Sequence, residues 1–253
     1  MRHESGEAPL SRKQWPIADG TSLASPGFNV ARVVHERQAE IVVDSSAPAI
    51  TNTFVDGVYS KLSPIYDVVF GAVLHPGRIA AVKQMGDAAG TRVLEVGVGT
   101  GIGVGLYPRS FHVTGIDLCS RMLERARQRI ARDGLQHITL KKMDAARLEM
   151  DANSFDIVYA PYIVSVVPDP VQVAREMRRV CRPGGRVVIL NHFKSHSPIA
   201  AVLERVISPV TIYLGFRSDL DLSTLLANAR LKPVSSEKVN VPPIWSLVTC
   251  TKN

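Results

Sequence analysis

The sequence predicts an α/β domain, a mostly parallel sheet with helices on both faces and an antiparallel hairpin at its C-terminal end. Three observations carry that expectation. From residue 91 short β-branched runs alternate with helical patterns, which implies parallel crossover units. The first of these runs empties into a glycine-rich loop, and a helical pattern follows. The last two runs, LKPVSSEKVNV and IWSLVTCTKN, are split by Pro242-Pro243 and read as a paired hairpin.

Taken in order, residues 1–50 mix Ser, Pro, Gly and charges with little periodicity and read as a flexible leader, with a short helix or docking strand possible over 29–43. The main domain is expected over 51–253. Between 53 and 85 apolar and aromatic residues recur at helical spacing (Phe54, Val58, Tyr59, Leu62, then Ile65, Val68, Val69), interrupted by Pro64 and by Pro76-Gly77. Two or three short helices are therefore expected there, covering the active site. Strands are expected at Arg92–Val96, His112–Asp117, Ile138–Lys141, Phe155–Ala160 and Arg186–Asn191, with helices over 101–107, 119–132 and 169–181. With the hairpin this makes seven strands. The segment 198–218, PIAAVLERVISPVTIYLGFRS, is apolar on most sides but short, charged and broken by Pro209, and reads as a core helix pair or an interfacial lid.

The 253 residues suit one α/β domain with an extension, and 45% hydrophobic with 21% charged residues is ordinary globular usage. Cys119, Cys181 and Cys250 are odd in number and far apart, which excludes a disulfide scaffold or a cysteine zinc site. No run reaches the roughly 18 apolar residues of a membrane span, and the start, MRHESGEAPLSRKQWP, lacks a secretory apolar core. A cytoplasmic location is expected. The net charge is +7; residues 1–50 hold five Lys/Arg against six Asp/Glu, so the excess lies beyond them, concentrated at 121–147 and 175–194. Such a surface attracts nucleic acid, anionic lipid or acidic metabolites alike.

The most specific signal is RVLEVGVGTGIG at 92–103. Gly97, Gly99 and Gly101 allow a sharp turn and close approach to a ligand. The dinucleotide fingerprint fails in all three frames, because Ile102, Val104 and Leu106 stand where its last glycine belongs, and no Gly-Lys-Ser/Thr follows for a phosphate loop. Glu95 in the entry strand argues against a pyrophosphate and for an amino group or a sulfonium. Asp117 ends the second strand, twenty residues after Gly97, where a carboxylate can accept both hydroxyls of a ribose. Asp144 lies just past the third, within reach of an exocyclic adenine amine.

These residues together resemble class I S-adenosylmethionine-dependent methyltransferases: the loop VLEVGVGTG, the acid Asp117, the pair Asp144-Ala145 and the turn Cys181-Arg182-Pro183-Gly184-Gly185. The resemblance implies a Rossmann-like seven-stranded sheet and S-adenosyl-L-methionine as cofactor, leaving S-adenosyl-L-homocysteine, with no metal. It implies cofactor contacts from Glu95, Gly97, Gly99, Gly101, Asp117, Leu118, Met143, Asp144, Ala145 and Tyr59. More narrowly, YSKLSPIYDVVFGAVLHPGR (59–78), APYIVSVVPDP (160–170) and NHF (191–193) resemble bacterial phosphatidylethanolamine N-methyltransferases related to quinone-biosynthetic C-methyltransferases. That resemblance implies a phospholipid amine as acceptor, no nucleic acid, and a peripheral place on the inner face of an anionic membrane.

An amine acceptor only has to lose a proton, so no nucleophilic side chain is expected and none is evident. Methylated ammonium products suit aromatic faces, at about 0.5–2 kcal/mol each. Tyr59, Tyr66 and Tyr162 are the candidates for that wall, Tyr66, Tyr162 and His192 for the catalytic role, and Arg78 for the lipid phosphate. Each has a plainer alternative: core packing for Tyr59 and Tyr66, a structural hydrogen bond for His192, a solvated charge for Arg78. A quinone-ring C-methyltransferase is the nearest rival, a small-molecule methyltransferase the next, and a cofactor-binding protein without turnover the most distant.

Overall fold

A computed structural model describes Gly71, residues 73–194 and residues 220–252. The leader over 1–50, Tyr59, Tyr66 and the 198–218 segment lie outside the described residues. Strands β1 (Arg92–Val96), β2 (His112–Asp117), β3 (Ile138–Lys142), β4 (Phe155–Pro161) and β5 (Cys181–His192) run parallel. Strands β6 (Lys232–Val239) and β7 (Trp245–Thr251) form the antiparallel hairpin, with β7 laid against β5. Among the described residues these seven make one sheet in the order β3-β2-β1-β4-β5-β7-β6. The Rossmann-like α/β fold expected from the sequence is therefore the one observed.

Helices α1 (73–85), α2 (Ser120–Arg132), α3 (Pro170–Val180) and α4 (Leu222–Ala229) accompany the sheet. The period of two along each strand divides the core between the two faces. Leu94 and Val96 of β1, Val158 and Ala160 of β4 and Val187 and Ile189 of β5 pack with Val173, Ala174 and Met177 of α3 and Leu225 and Leu226 of α4. Val93, Ile157, Tyr159, Val188 and Leu190 share the other core with Leu74, Ala81, Val82 and Met85 of α1. Glu95, two residues after Val93, is thereby turned toward α1.

The helix starts follow local chemistry. Asp169 caps α3, its side chain accepting from Gln172 N at 2.9 Å, with Pro170 in the first turn. Asp221 caps α4 in the same way through Thr224 N at 2.7 Å.

Several expectations need correction. Over 101–107 there is only a 3-10 turn, Val104–Leu106, because Gly103, Gly105 and Pro108 leave too little helix-favouring chain. Pro76-Gly77 does not end a helix, since α1 continues through it. Proline removes a backbone donor, and the adjacent Gly77 N–H is satisfied from outside the helix, by Asn240 Oδ1 at 2.6 Å. Strand β5 begins five residues earlier than expected, at Cys181, and its pairing with β4 slips between Phe155 and Ile157 to absorb Pro183-Gly184-Gly185. Helix α4 has only eight residues and no sharp apolar stripe to announce it.

Candidate active site

The strand order reverses between β1 and β4, and in open α/β sheets ligands bind at the carboxyl ends of the strands beside such a point. The glycine loop leaves β1 there. Its first amides fold back onto β2, Gly97 N and Val98 N both donating to Ile116 O at 2.9 Å, and Gly101 N donates to Val98 O at 3.0 Å. Gly97, Gly99 and Gly101 have φ of 76°, 57° and 76°, a region that disfavours other residues.

Asp117 holds this loop from the second strand. One carboxylate oxygen accepts from Gly99 N and the other from Cys119 N, each at 2.9 Å, so the acid is aimed before any ligand arrives. Met143 N donates to Asp117 O at 3.0 Å, and Asp144 Oδ1 accepts from Ala146 N at 2.9 Å, which fixes the third strand's contribution beside the second. Gly97, Gly99, Asp117, Leu118, Met143, Asp144 and Ala145 all line one cavity, closed on the far side by Pro161–Ile163 and Val166–Pro168.

Tyr162 and Arg78 line the same cavity. Tyr162 leaves β4 in a left-handed conformation (φ 60°). Its hydroxyl donates to Leu74 O of α1 at 2.8 Å and accepts from Asn240 Nδ2 at 2.9 Å. The Arg78 guanidinium lies over the ring, 4.9 Å from its centroid. Gly77 has no room for a side chain, since a Cβ there would stand 2.6 Å from the Tyr162 hydroxyl. The plainer alternative for Arg78 fails: it is 7% exposed, not a solvated charge.

Glu95 stands behind the loop at 2% exposure, its Oε2 accepting from the Tyr107 hydroxyl at 2.7 Å. Burial pushes its carboxyl up to about 7, against the pull of Tyr107 and of the Arg78 charge and with a smaller push from Asp117. Tyr159, on the same sheet face, keeps a buried hydroxyl without a hydrogen-bond partner, and burial near Glu95 raises it well above the usual phenol range. Gly101 stands behind the loop against α2, where a Cβ would come within 3.1 Å of Ala126 Cα.

The NHF segment separates into three roles. Asn191 is fully buried and accepts from Ser165 Oγ at 3.2 Å, bracing the loop after β4 over the cavity. Phe193 is core. His192 ends β5 opposite Trp245 and is not among the residues that line the cavity. Tyr59 and Tyr66 lie outside the described residues. Sequence reasoning missed Tyr107, Tyr159, Asn191 and Asn240. Only Asn191 carried a local signal, an amide in an otherwise apolar strand.

The donor set fits an adenosyl ligand with an amino-acid end. Asp117, Asp144 and Arg78 line the cavity, Gly99 has open space there where a side chain would begin, and Glu95 lies behind the loop and outside the lining.

Residues 94–189 match the family model described as a methyltransferase domain. A phosphatidylethanolamine N-methyltransferase of Cereibacter sphaeroides is 44% identical over 172 residues, 67% of this chain and 84% of that protein. The ubiquinone/menaquinone biosynthesis C-methyltransferase UbiE of Bdellovibrio bacteriovorus is 33% identical over 162 residues, 59% of this chain and 66% of that protein. Among solved structures, phosphoethanolamine N-methyltransferase 2 of Haemonchus contortus in complex with S-adenosyl-L-methionine superposes with a TM-score of 0.60 at 19% identity, covering 78% of this chain and 57% of that one. That last likeness speaks to the fold.

Proposed function

Because the chain belongs to the S-adenosylmethionine-dependent methyltransferases, we propose that it methylates the amine of phosphatidylethanolamine and of its mono- and dimethylated forms, toward phosphatidylcholine. The observation that carries this reading is the state of Tyr162. Its hydroxyl is committed to Leu74 O and Asn240, so the side chain offers the cavity an aromatic face and no acid or base. A ring carbon or a weakly acidic hydroxyl needs a protein base to take its proton; an amine gives its proton up to water. The Tyr162 ring already faces one cation, Arg78, and aromatic faces suit soft methylated ammonium groups.

When bound, the cofactor supplies an electrophilic methyl on a sulfonium. The protein's own work is alignment and exclusion of water, worth up to about 7–11 kcal/mol in well-oriented reactions. In this reading Asp117 and Asp144 hold the nucleoside, Ile163, Val166 and Val167 keep the acceptor side dry, and the buried Glu95 acts on the cationic end from behind the loop. His192, outside the cavity lining, carries no step in this reading. The basic surface, on the same reading, meets anionic headgroups at about 1 kcal/mol per well-placed Lys or Arg, in support of a peripheral site of action; no described helix is long and apolar enough to cross a membrane.

The test is methyl transfer from labelled S-adenosylmethionine into mixed vesicles, with lipid products read by mass. Methylated phosphatidylethanolamines are expected. Product on an added demethylated quinone, with none on the lipid, would replace the lipid reading with the quinone one.

A further inference from the structure

Trp245 of β7 pairs with His192, the last residue of β5. The turn before it, residues 240–244, therefore lies at the carboxyl edge of the parallel strands, the edge that carries the cavity. Asn240 joins the two directly. Its Oδ1 accepts from Gly77 N at 2.6 Å, and its Nδ2 donates at 2.9 Å to the hydroxyl of Tyr162, a cavity residue. Beyond Asn240 the chain reads Val-Pro-Pro-Ile-Trp, with Val241, Pro242 and Pro243 exposed and Ile244 and Trp245 half-buried.

Val241 is 83% exposed, more than any other large apolar side chain among the described residues. The first turn of α1, held to Asn240 through Gly77, adds the exposed Val73 and Pro76. Single exposed apolar residues are ordinary, whereas a contiguous group of them marks an interaction site. The backbone of this tip also suits an apolar medium. Pro242 and Pro243 have no N–H to dehydrate, and Ile244 N donates to Pro242 O at 2.8 Å. From Lys238 to Trp245 the chain holds one cation and no acid, and Lys194, exposed just past β5, stands at the same edge.

We propose that the 240–244 turn, together with the start of α1, enters the headgroup layer of a lipid bilayer and sets the cavity against that surface. Val241 and the prolines supply the apolar tip, while Lys238 and Lys194 face anionic headgroups. The proposal rests on the lipid reading for its purpose, but its partner is the bilayer surface and not the single acceptor molecule. Val234 provides an internal contrast. It is 60% exposed on β6, yet it sits next to Pro233, which pairs with Cys250 at the opposite end of the hairpin from the turn.

The experiment is sedimentation of the full chain with vesicles of phosphatidylethanolamine and phosphatidylglycerol, beside calorimetry with S-adenosylhomocysteine. Val241→Asp is expected to weaken partitioning about tenfold and to leave S-adenosylhomocysteine affinity unchanged; Val234→Asp should change neither. An environment-sensitive dye on Val241→Cys should shift its emission to the blue on vesicles, and the same dye on Val234→Cys should not; the three native cysteines are buried. Unchanged partitioning of Val241→Asp, an unshifted dye, or equal losses in both aspartate variants overturns the proposal. So does a dimer in solution that Val241→Asp dissociates, because the patch would then meet a second copy of this chain. Partitioning is read without turnover. Its dependence on Val241 therefore supports the docking face even where the vesicles yield no methylated lipid, a result that would remove the lipid acceptor alone.

Discussion

The Tyr107 hydroxyl donates to Glu95 Oε2 across 2.7 Å inside the core, and this bond is the main brake on the proton affinity of a fully buried carboxyl. The groups that face Glu95 are Arg78 on α1, Tyr107 after the glycine loop, Asp117 on β2 and Tyr159 on β4. An ammonium group on the ligand, which S-adenosylmethionine and S-adenosylhomocysteine both carry, is favoured by the ionised carboxylate over the neutral acid. With the carboxyl pushed up to about 7, affinity for S-adenosylhomocysteine is expected to rise with pH to that point and then level. Tyr107→Phe removes a bond that favours ionisation, so the levelling point should move to higher pH. Calorimetry from pH 6 to 8.5 checks both, and a flat wild-type profile would contradict them.

The same carboxyl affects folding with a definite sign. Its folded-state value, about 7, lies above the 4.5 of an exposed glutamate. Its contribution therefore favours the fold below pH 4.5 and is withdrawn as pH rises through 7. The difference corresponds to on the order of 3 kcal/mol against folding at pH 8. Glu95→Gln should raise Tm by several degrees at pH 8 and much less at pH 5, while weakening cofactor binding. Thermal scans at the two pH values decide it; an equal shift at both would mean that packing, and not ionisation, is responsible.

Two glycines of one loop should behave differently. An alanine methyl at Gly101 would press on the α2 backbone at Ala126, 3.1 Å away, with φ at 76°; a loss of about 2–4 kcal/mol is expected. At Gly99 the methyl meets nothing within 4 Å but enters the cavity. Gly99→Ala should lose only the about 1–2 kcal/mol of a left-handed alanine, yet at least tenfold in S-adenosylhomocysteine affinity. Denaturant titration beside calorimetry separates the two, and intact binding in Gly99→Ala would remove Gly99 from the site.

Asn240 ties the C-terminal hairpin to α1 and to Tyr162. Asn240→Ala should reduce stability by about 1–2 kcal/mol and accelerate amide exchange over 73–85, leaving β1 and β2 unchanged. Uniform acceleration would show that Asn240 supports the whole fold and not α1 in particular.

Much of this was legible locally. The bounds of β1 and β2 were read correctly because each is a β-branched run cut off by a turn or by the glycine loop. Asp117 and Asp144 followed from strand ends, which the fold sends to one edge. What escaped depends on partners far along the chain. The persistence of α1 past Pro76-Gly77 requires Asn240, 163 residues beyond Gly77. The burial of Arg78 requires Tyr162, and the raised Glu95 requires Tyr107. A proline read alone is a helix breaker, and an arginine read alone is a surface charge; only the tertiary neighbour reverses each.

The placement of β7 between β5 and β6 has a consequence for synthesis on the ribosome. Until β7 emerges, β5 is a bare sheet edge, with Val187, Val188, Ile189 and Leu190 ready to pair with any passing strand. At ~5–20 residues per second, the wait between the end of β5 and Trp245 lasts several seconds. The nascent chain spends that time with its nucleoside-binding half complete and Asn240 still to come. A chaperone that covers the β5 edge would therefore act within a narrow window, and premature stops before Trp245 should yield aggregates.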